Sequence, residues 1–204
     1  SPINNLSLEQ IRGIYTGEIT SWDEVGGPET EIHAYTRNRN SGSQELMKSL
    51  VMDDLQIIQG QDLMTRTMMG PVSRLGSDPA GLGYSVHYYI RFMASRSEED
   101  WHRDEERLRA DWKERGVEPE EAEKRARKYI ENKQKQQIRM ISVNGVEPGP
   151  QSIFEGKYPL VQPVYAVIRK GLPEGHPARR VRDWLLTEEG QRAISRTGYV
   201  PLKR

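Results

Sequence analysis

The chain has 204 residues, with 30 Lys and Arg against 30 Asp and Glu, 35% hydrophobic residues and no cysteine; its mean hydropathy is −0.80. Balanced charge and a pI near 6.9 argue against the basic excess by which proteins bind nucleic acid or anionic membranes, and the lack of Cys excludes a disulfide scaffold, a thiolate zinc site and a cysteine nucleophile. No apolar run approaches the roughly 18 residues of a membrane-spanning helix, and the opening SPINNLSLEQ lacks the basic-then-apolar pattern of a signal peptide.

In chain order, Ser7 followed by Gln10 is a capping box that opens a helix over 7–16. Gly17 stops that helix, and Ile11, Ile14 and Tyr15 form its inner face. Trp22, Val25 and the turn Gly26-Gly27-Pro28 lead into a short strand around 32–35. The stretch Thr36-Arg37-Asn38-Arg39-Asn40-Ser41-Gly42-Ser43-Gln44-Glu45 comes next, and then a helical pattern of Leu46, Met47, Leu50 and Val51.

Strand, polar glycine-containing loop and helix in that order have a chemical use. The first amides of a helix point outward without partners, and the helix dipole places partial positive charge there. Ser41 and Ser43 supply small hydroxyl donors, Gly42 lets the backbone approach closely, and Arg37 at the strand end adds a bidentate cation. These are the donors an oxyanion needs. The same residues also read as an ordinary N-cap beside a surface arginine, and the local pattern leaves both readings open.

A second glycine-rich stretch, Gly76-Ser77-Asp78-Pro79-Ala80-Gly81-Leu82-Gly83-Tyr84-Ser85, separates a short helical piece near 72–75 from the aromatic run of Tyr84, His87, Tyr88 and Tyr89. It is too irregular for a dinucleotide fingerprint and no GK[ST] follows it. It reads as a turn into a strand that forms a wall of the same cleft. Met64, Met68 and Met69 read as core filling.

Charge is concentrated in one place. Residues 95–137 hold 25 of the 60 charged residues, leaving an ordinary density elsewhere. Trp101, Leu108 and Trp112 are spaced i, i+7, i+11, and Ala122, Ala126, Tyr129 and Ile130 are spaced i, i+4, i+7, i+8. This spacing predicts two helices, roughly 97–115 and 118–136, with Gly116 as C-terminal cap and Pro119 in the first turn of the second. The result is a hairpin with opposite charges three and four apart on its wet faces. It reads as a solvated insertion or as a docking surface for another protein.

Beyond it, 138–143 reads as a strand with Asn144-Gly145 as its turn. A short helix near 150–155, a β-rich run over 161–168 and helices over about 177–187 and 188–196 complete an α/β pattern. The four histidines (33, 87, 102 and 176) are scattered without metal-ligand spacing, and no serine lies in GxSxG. Nothing here points to an enzyme, a metal or a cofactor.

NNLSLEQIRGIYTGEITSWDEVGG, R-x-x-x-SGS, DPAGLGYS, VNGVEPGPQSI with GKYPL, and TEEGQRAISRTGYVPL together resemble the phosphate-type periplasmic binding proteins, the PstS-like substrate-binding components of phosphate ABC transporters. The resemblance covers about 160 residues in order and fails only in the charged hairpin. It implies an α/β, type II periplasmic-binding-protein-like architecture that closes two lobes on an oxyanion. Residues 1–94 and 138–160 would form the second lobe, 95–137 an inserted hairpin, and 161–204 the return strand and closing helices of the first lobe. It also implies phosphate contacts from Arg37, Ser41, Gly42 and Ser43, with Ser43 where the family has Thr. A permease partner and an extracytoplasmic location follow from it. The family's N-terminal segment is not matched, so the resemblance implies either a fragment or a lobe completed by another chain. No nucleic-acid partner is implied.

Overall fold

The computed structural model describes residues 3–58, 60, 62–87, 97–134 and 138–202. Two short pairs of parallel strands frame the N-terminal part. Asn5–Leu6 (β1) and Ser142–Val143 (β4) pair with Asn5 opposite Ser142 and Leu6 opposite Val143. His33–Ala34 (β2) and Gly81–Leu82 (β3) pair with His33 opposite Gly81. A single parallel bridge between Arg37 and Thr65 carries the direction of β2 onward. The expected strand over 138–143 is thus confined to its last two residues. Asn144 (φ 52) and Gly145 (φ 76) make the tight turn that brings Val143 to Val146.

Helix α1 (Leu8–Thr16) has the ends its sequence calls for. The Ser7 side chain accepts from the Gln10 amide, the Gln10 side chain accepts from the Ser7 amide, and Gly17 closes the helix at φ 83. Its inner face packs Ile11, Ile14 and Tyr15 against Leu6, Trp22, Ile32, Ala34, Met47, Val51, Met52 and Val143. Each large apolar side chain taken fully from water contributes roughly 1.5–3 kcal/mol, so this cluster carries the N-terminal part. Helix α2 (Gly42–Met47) runs into a wider π turn over Lys48–Met52. There Val51 and Met52 reach the core, before Asp53 and Asp54 at φ 50 and 65 end the run. Helix α3 (Gly70–Leu75) has Pro71 in its first turn.

The charged segment folds as α4 (Glu98–Glu114) and α5 (Pro119–Gln134), with Gly116 at φ 80 between them. The two helices pack on each other, with no extensive contact to another described element. Ala122, Ala126 and Ile130 are buried between them, and the Arg125 guanidinium lies 5.3 Å from the Trp112 ring centre. Tyr129, expected on the inner stripe, is half exposed. Pairs such as Arg115–Asp111, Arg125–Glu121 and Arg127–Glu123 lie one turn apart on the outer faces. Each contributes a few tenths of a kcal/mol at about this exposure.

After α6 (Pro150–Phe154), residues 161–168 run without a ladder to any described strand. The β-rich expectation fails there for a physical reason: a strand needs a neighbour for its amides and carbonyls, and none lies beside it among the described residues. Val164, Tyr165 and Val167 are 75%, 75% and 89% exposed. Helices α7 (Pro177–Leu185) and α8 (Glu188–Arg196) pack on each other. Tyr88 and Tyr89 of the aromatic run lie outside the described residues. No helix among the described residues is long and apolar enough to cross a membrane.

Candidate functional site

The loop from Arg37 to Ser43 connects the extension of β2 to the start of α2. Ser41, in extended conformation, caps that start. Its Oγ accepts from the Gln44 amide at 3.1 Å, and its carbonyl accepts from the amides of Gln44 and Glu45 at 3.0 and 3.1 Å. The amides of Gly42 and Ser43 have no partner among the described residues, as the geometry of a helix start dictates. A Cβ built on Gly42 would meet nothing within 4 Å, so the backbone is open on that side. The Ser41 hydroxyl accepts within the cap, which leaves its hydrogen available to another acceptor.

Arg37 is buried, with a relative exposure of 5%. One guanidinium nitrogen, Nη1, donates to the Thr67 carbonyl and, at 3.5 Å, to the Thr65 carbonyl. It thereby holds the segment that bridges to β2. Its Nε and the Asn38 Oδ1 are buried and have no hydrogen-bond partner among the described residues. Of the four residues expected at the site, Ser41, Gly42 and Ser43 therefore share the helix start. Arg37 joins them through the backbone, with its Nη1 turned to Thr65 and Thr67 and its Nε unpartnered.

Sequence reading missed two residues that organise this loop. Gln44 Oε1 accepts the Arg37 amide at 3.1 Å and also accepts the Tyr84 hydroxyl. That hydroxyl in turn accepts the Arg37 amide at 3.2 Å. Burial pushes the Tyr84 phenol up to about 12, against the lowering effect of the Arg37 amide and charge, so it stays protonated and donates. Its ring meets Tyr15 edge-on, with centroids 5.6 Å apart at 71°. The available signal was a buried polar residue in the first turn of a helix; the Tyr84 partner lies forty residues away and has no local signature.

Ser43 and Tyr84 also lie on the wall of an open groove of about 1880 Å³, shared with Ile141, Tyr158, Leu185 and Tyr199. Arg37, Ser41 and Gly42 do not line it. It exceeds the roughly 300–1,000 Å³ of an ordinary small-molecule pocket, and far exceeds a tetrahedral oxyanion. It is an apolar trough beside the loop, not the cradle of an anion. No three His, Asp or Glu side chains among the described residues are grouped to hold a metal ion.

Residues 1–189 match the model of the PBP superfamily domain. The phosphate-binding protein PstS of Bacillus subtilis is 20% identical over 202 residues, spanning 98% of this chain and 51% of that protein. PstS of Staphylococcus epidermidis is 22% identical over 204 residues, spanning 97% of this chain and 50% of its own length. The chain thus spans about half the length of these curated relatives. Among solved structures, it is similar to a Clostridium perfringens protein described as a phosphate ABC transporter substrate-binding protein, solved with bound phosphate. That likeness has a TM-score of 0.65 at 21% identity and covers 99% of this chain and 65% of the other. PstS from Borrelia burgdorferi follows with a TM-score of 0.60 at 19% identity, covering 100% and 66%. At such identities the likeness establishes the fold, an α/β periplasmic-binding-protein fold. With the family model matched over residues 1–189, the chain belongs to the PBP superfamily.

Proposed function

We propose that this chain carries the anion-binding loop of a substrate-binding component of an ABC transporter, with inorganic phosphate or a related oxyanion as its ligand and no catalytic step. The observation that carries this reading is the start of α2. There, among the described residues, the amides of Gly42 and Ser43 stand unpartnered behind a Ser41 cap, and the Arg37 Nε, on the same loop, is buried without a partner. Unpartnered donors at the positive end of a helix are what an oxyanion replaces water on. The names of the similar proteins, phosphate-binding PstS chains and a protein solved with bound phosphate, support phosphate as the first ligand to try.

In this reading residues 1–94 and 138–160 form one lobe, 95–137 are an insertion, and 161–204 belong to the other lobe. The exposed, unladdered residues 161–168 and the share of the relatives' length that is covered support completion of that lobe by further polypeptide. The protein acts outside the cytoplasm and delivers its ligand to a permease by lobe closure. The loop alone leaves an anion exposed to water on one side, so its affinity for phosphate is weak, on the order of millimolar. Titrating phosphate into the 15N-labelled chain tests this. The amides of 41–44 shift together with one dissociation constant; no response in these amides refutes the site.

A second reading assigns the hairpin to docking a partner. It is favoured by the way α4 and α5 pack on each other and leave their charged outer faces to solvent. Deletion of 97–136 separates the two functions: anion binding survives it, and a hairpin-dependent interaction does not.

A further inference from the structure

The donors of the loop work only if strand end and helix start keep a fixed spacing, and one hydrogen-bonded triangle sets that spacing. Its corners are the Arg37 amide, the Gln44 side-chain oxygen and the Tyr84 hydroxyl. Arg37 is at the end of the β2 extension, Gln44 is the third residue of α2, and Tyr84 follows β3 by two residues. The triangle therefore ties three chain segments at a point seven residues across the loop. Gln44 is also the residue whose amide Ser41 caps. The cap and the triangle thus act on one residue from its main-chain and side-chain ends.

Each corner is chemically committed. A main-chain N–H has one hydrogen, and here it is shared between two acceptors. The Tyr84 hydroxyl uses its hydrogen on Gln44 and a lone pair on Arg37. Gln44 is buried at 6% exposure, so breaking its acceptor contacts leaves unsatisfied polar groups away from water. Tyr84 is further braced by the Tyr15 ring, and Tyr15 donates its own hydroxyl to the Tyr35 carbonyl at 3.1 Å. The bracing reaches back into the core under α1.

We propose that Gln44 and Tyr84 are positioning residues for the oxyanion loop, holding the amides of Gly42 and Ser43 and the Arg37 side chain at the separation an anion requires without touching the anion themselves. This rests on the loop being the anion site. Arg37 brings its guanidinium to the loop through the residue whose amide the triangle holds. Rotation of that peptide moves the Arg37 side chain that branches from it. Fixing the donors beforehand is what gives a water-exposed site any affinity at all.

The test uses Tyr84→Phe, which keeps the ring and its edge contact with Tyr15 but removes the hydroxyl, and Gln44→Met, which keeps the length and removes the acceptor. Phosphate is titrated into the wild-type chain and both variants by 15N spectroscopy, with amide exchange and thermal unfolding recorded on the same samples. The expected result is a dissociation constant for phosphate raised about five- to tenfold in each variant, with faster exchange at the Arg37 amide. The double variant is no weaker than about the stronger single effect, because both act through one N–H. Unchanged affinity in Tyr84→Phe, with a wild-type chain that responds, overturns the positioning role and leaves the anion site standing. Weaker binding accompanied by faster exchange throughout the α1 core also overturns it, since that is a general loss of stability. A wild-type chain whose 41–44 amides ignore phosphate overturns the anion site and the positioning role together.

Discussion

The Tyr35 hydroxyl donates to Asp78 Oδ2 at 2.7 Å, and His33 Nδ1 meets the same oxygen at 2.8 Å. The other oxygen accepts the Ala80 amide at 3.0 Å. One carboxylate thus clamps β2, which His33 opens and Tyr35 follows, to the turn that leads into β3. Tyr84 follows β3 by two residues, so the clamp lies on the segment that carries the Tyr84 hydroxyl to the loop.

This clamp has a pH signature. Burial raises the Asp78 carboxyl, but the hydrogen bonds from Tyr35, His33 and the Ala80 amide, with the His33 charge, outweigh it and leave the group below the ordinary value. A carboxylate lowered in the folded state stabilises above the unfolded value of about 3.9; that contribution is lost as pH falls through the lowered folded value. Tyr35 behaves oppositely. Burial first, and then its bond to Asp78, raise it to about 12. Its contribution is complete below about 10 and disappears between there and about 12. Asp78→Ala is expected to cost roughly 1–3 kcal/mol near neutrality. The gap to wild type narrows below about pH 4, as read from urea midpoints across the pH range.

Arg37→Ala removes the donor that Thr65 and Thr67 share and the unpartnered Nε together. Two effects follow and separate by measurement. Unfolding free energy falls by roughly 1–3 kcal/mol because two carbonyls lose a charged donor. The phosphate response at amides 41–44 weakens by more than Tyr84→Phe causes, because a charge is removed along with geometry. Arg37→Lys restores charge without the Nε edge, and is expected to recover less than half of the lost affinity.

Much of this was legible in the sequence. The helix at 8–16 was readable from Ser7, Gln10 and Gly17 because capping is local chemistry, and so were the charged hairpin and the helices after Pro177. The positions of Ser41, Gly42 and Ser43 at a helix start were readable for the same reason. The role of Tyr84 was not, since its partner Arg37 is forty-seven positions away and only the fold brings them together. The burial of Arg37 was not legible, because sequence carries no record of the Thr65 and Thr67 carbonyls. The run over 161–168 has strand composition, but ladder formation depends on a neighbour and not on composition.

Two glycines give a controlled contrast. A Cβ on Gly42 meets nothing within 4 Å, whereas one on Gly60, at φ +77, would collide with the Ala34 carbonyl and lie 2.9 Å from Thr36 Cγ2. Gly60→Ala is expected to destabilise by about 2 kcal/mol or more, through both the left-handed backbone and the clash. Gly42→Ala is expected to leave the unfolding midpoint within about 0.5 kcal/mol of wild type. If the loop takes an anion against its backbone, the added methyl still weakens phosphate binding. A fall in affinity without a fall in stability is the result that assigns Gly42 to ligand approach.

The hairpin gives a test of mechanical independence. Ala122 and Ala126 are fully buried between α4 and α5, so Ala126→Leu forces extra volume into a closed seam at a cost of roughly 1–3 kcal/mol. Because the two helices pack on each other and not extensively on the other described elements, that loss stays local. Amide exchange is expected to accelerate across 98–134 while the core amides of Ile11, Ile14 and Val51 keep their protection. Acceleration in both regions would mean that the hairpin and the body unfold as one unit.

The exposed C-terminal apolar residues make the last prediction. Val164, Tyr165 and Val167 lie along one unladdered segment and are all largely in water, while Val181 of α7 and Leu186 just past its end are 57% and 55% exposed. Side chains that are already solvated contribute little to folding, so Val164→Ser with Val167→Ser leaves the unfolding midpoint within about 0.5 kcal/mol of the parent. The same pair of changes removes apolar surface of the kind that self-associates. Fluorescence of an apolar dye is therefore expected to fall, and solubility to rise. Amides 161–168 exchange at nearly unprotected rates in the parent, because no described strand accepts or donates across them. A marked drop in stability in the double variant would show that these side chains are buried in solution.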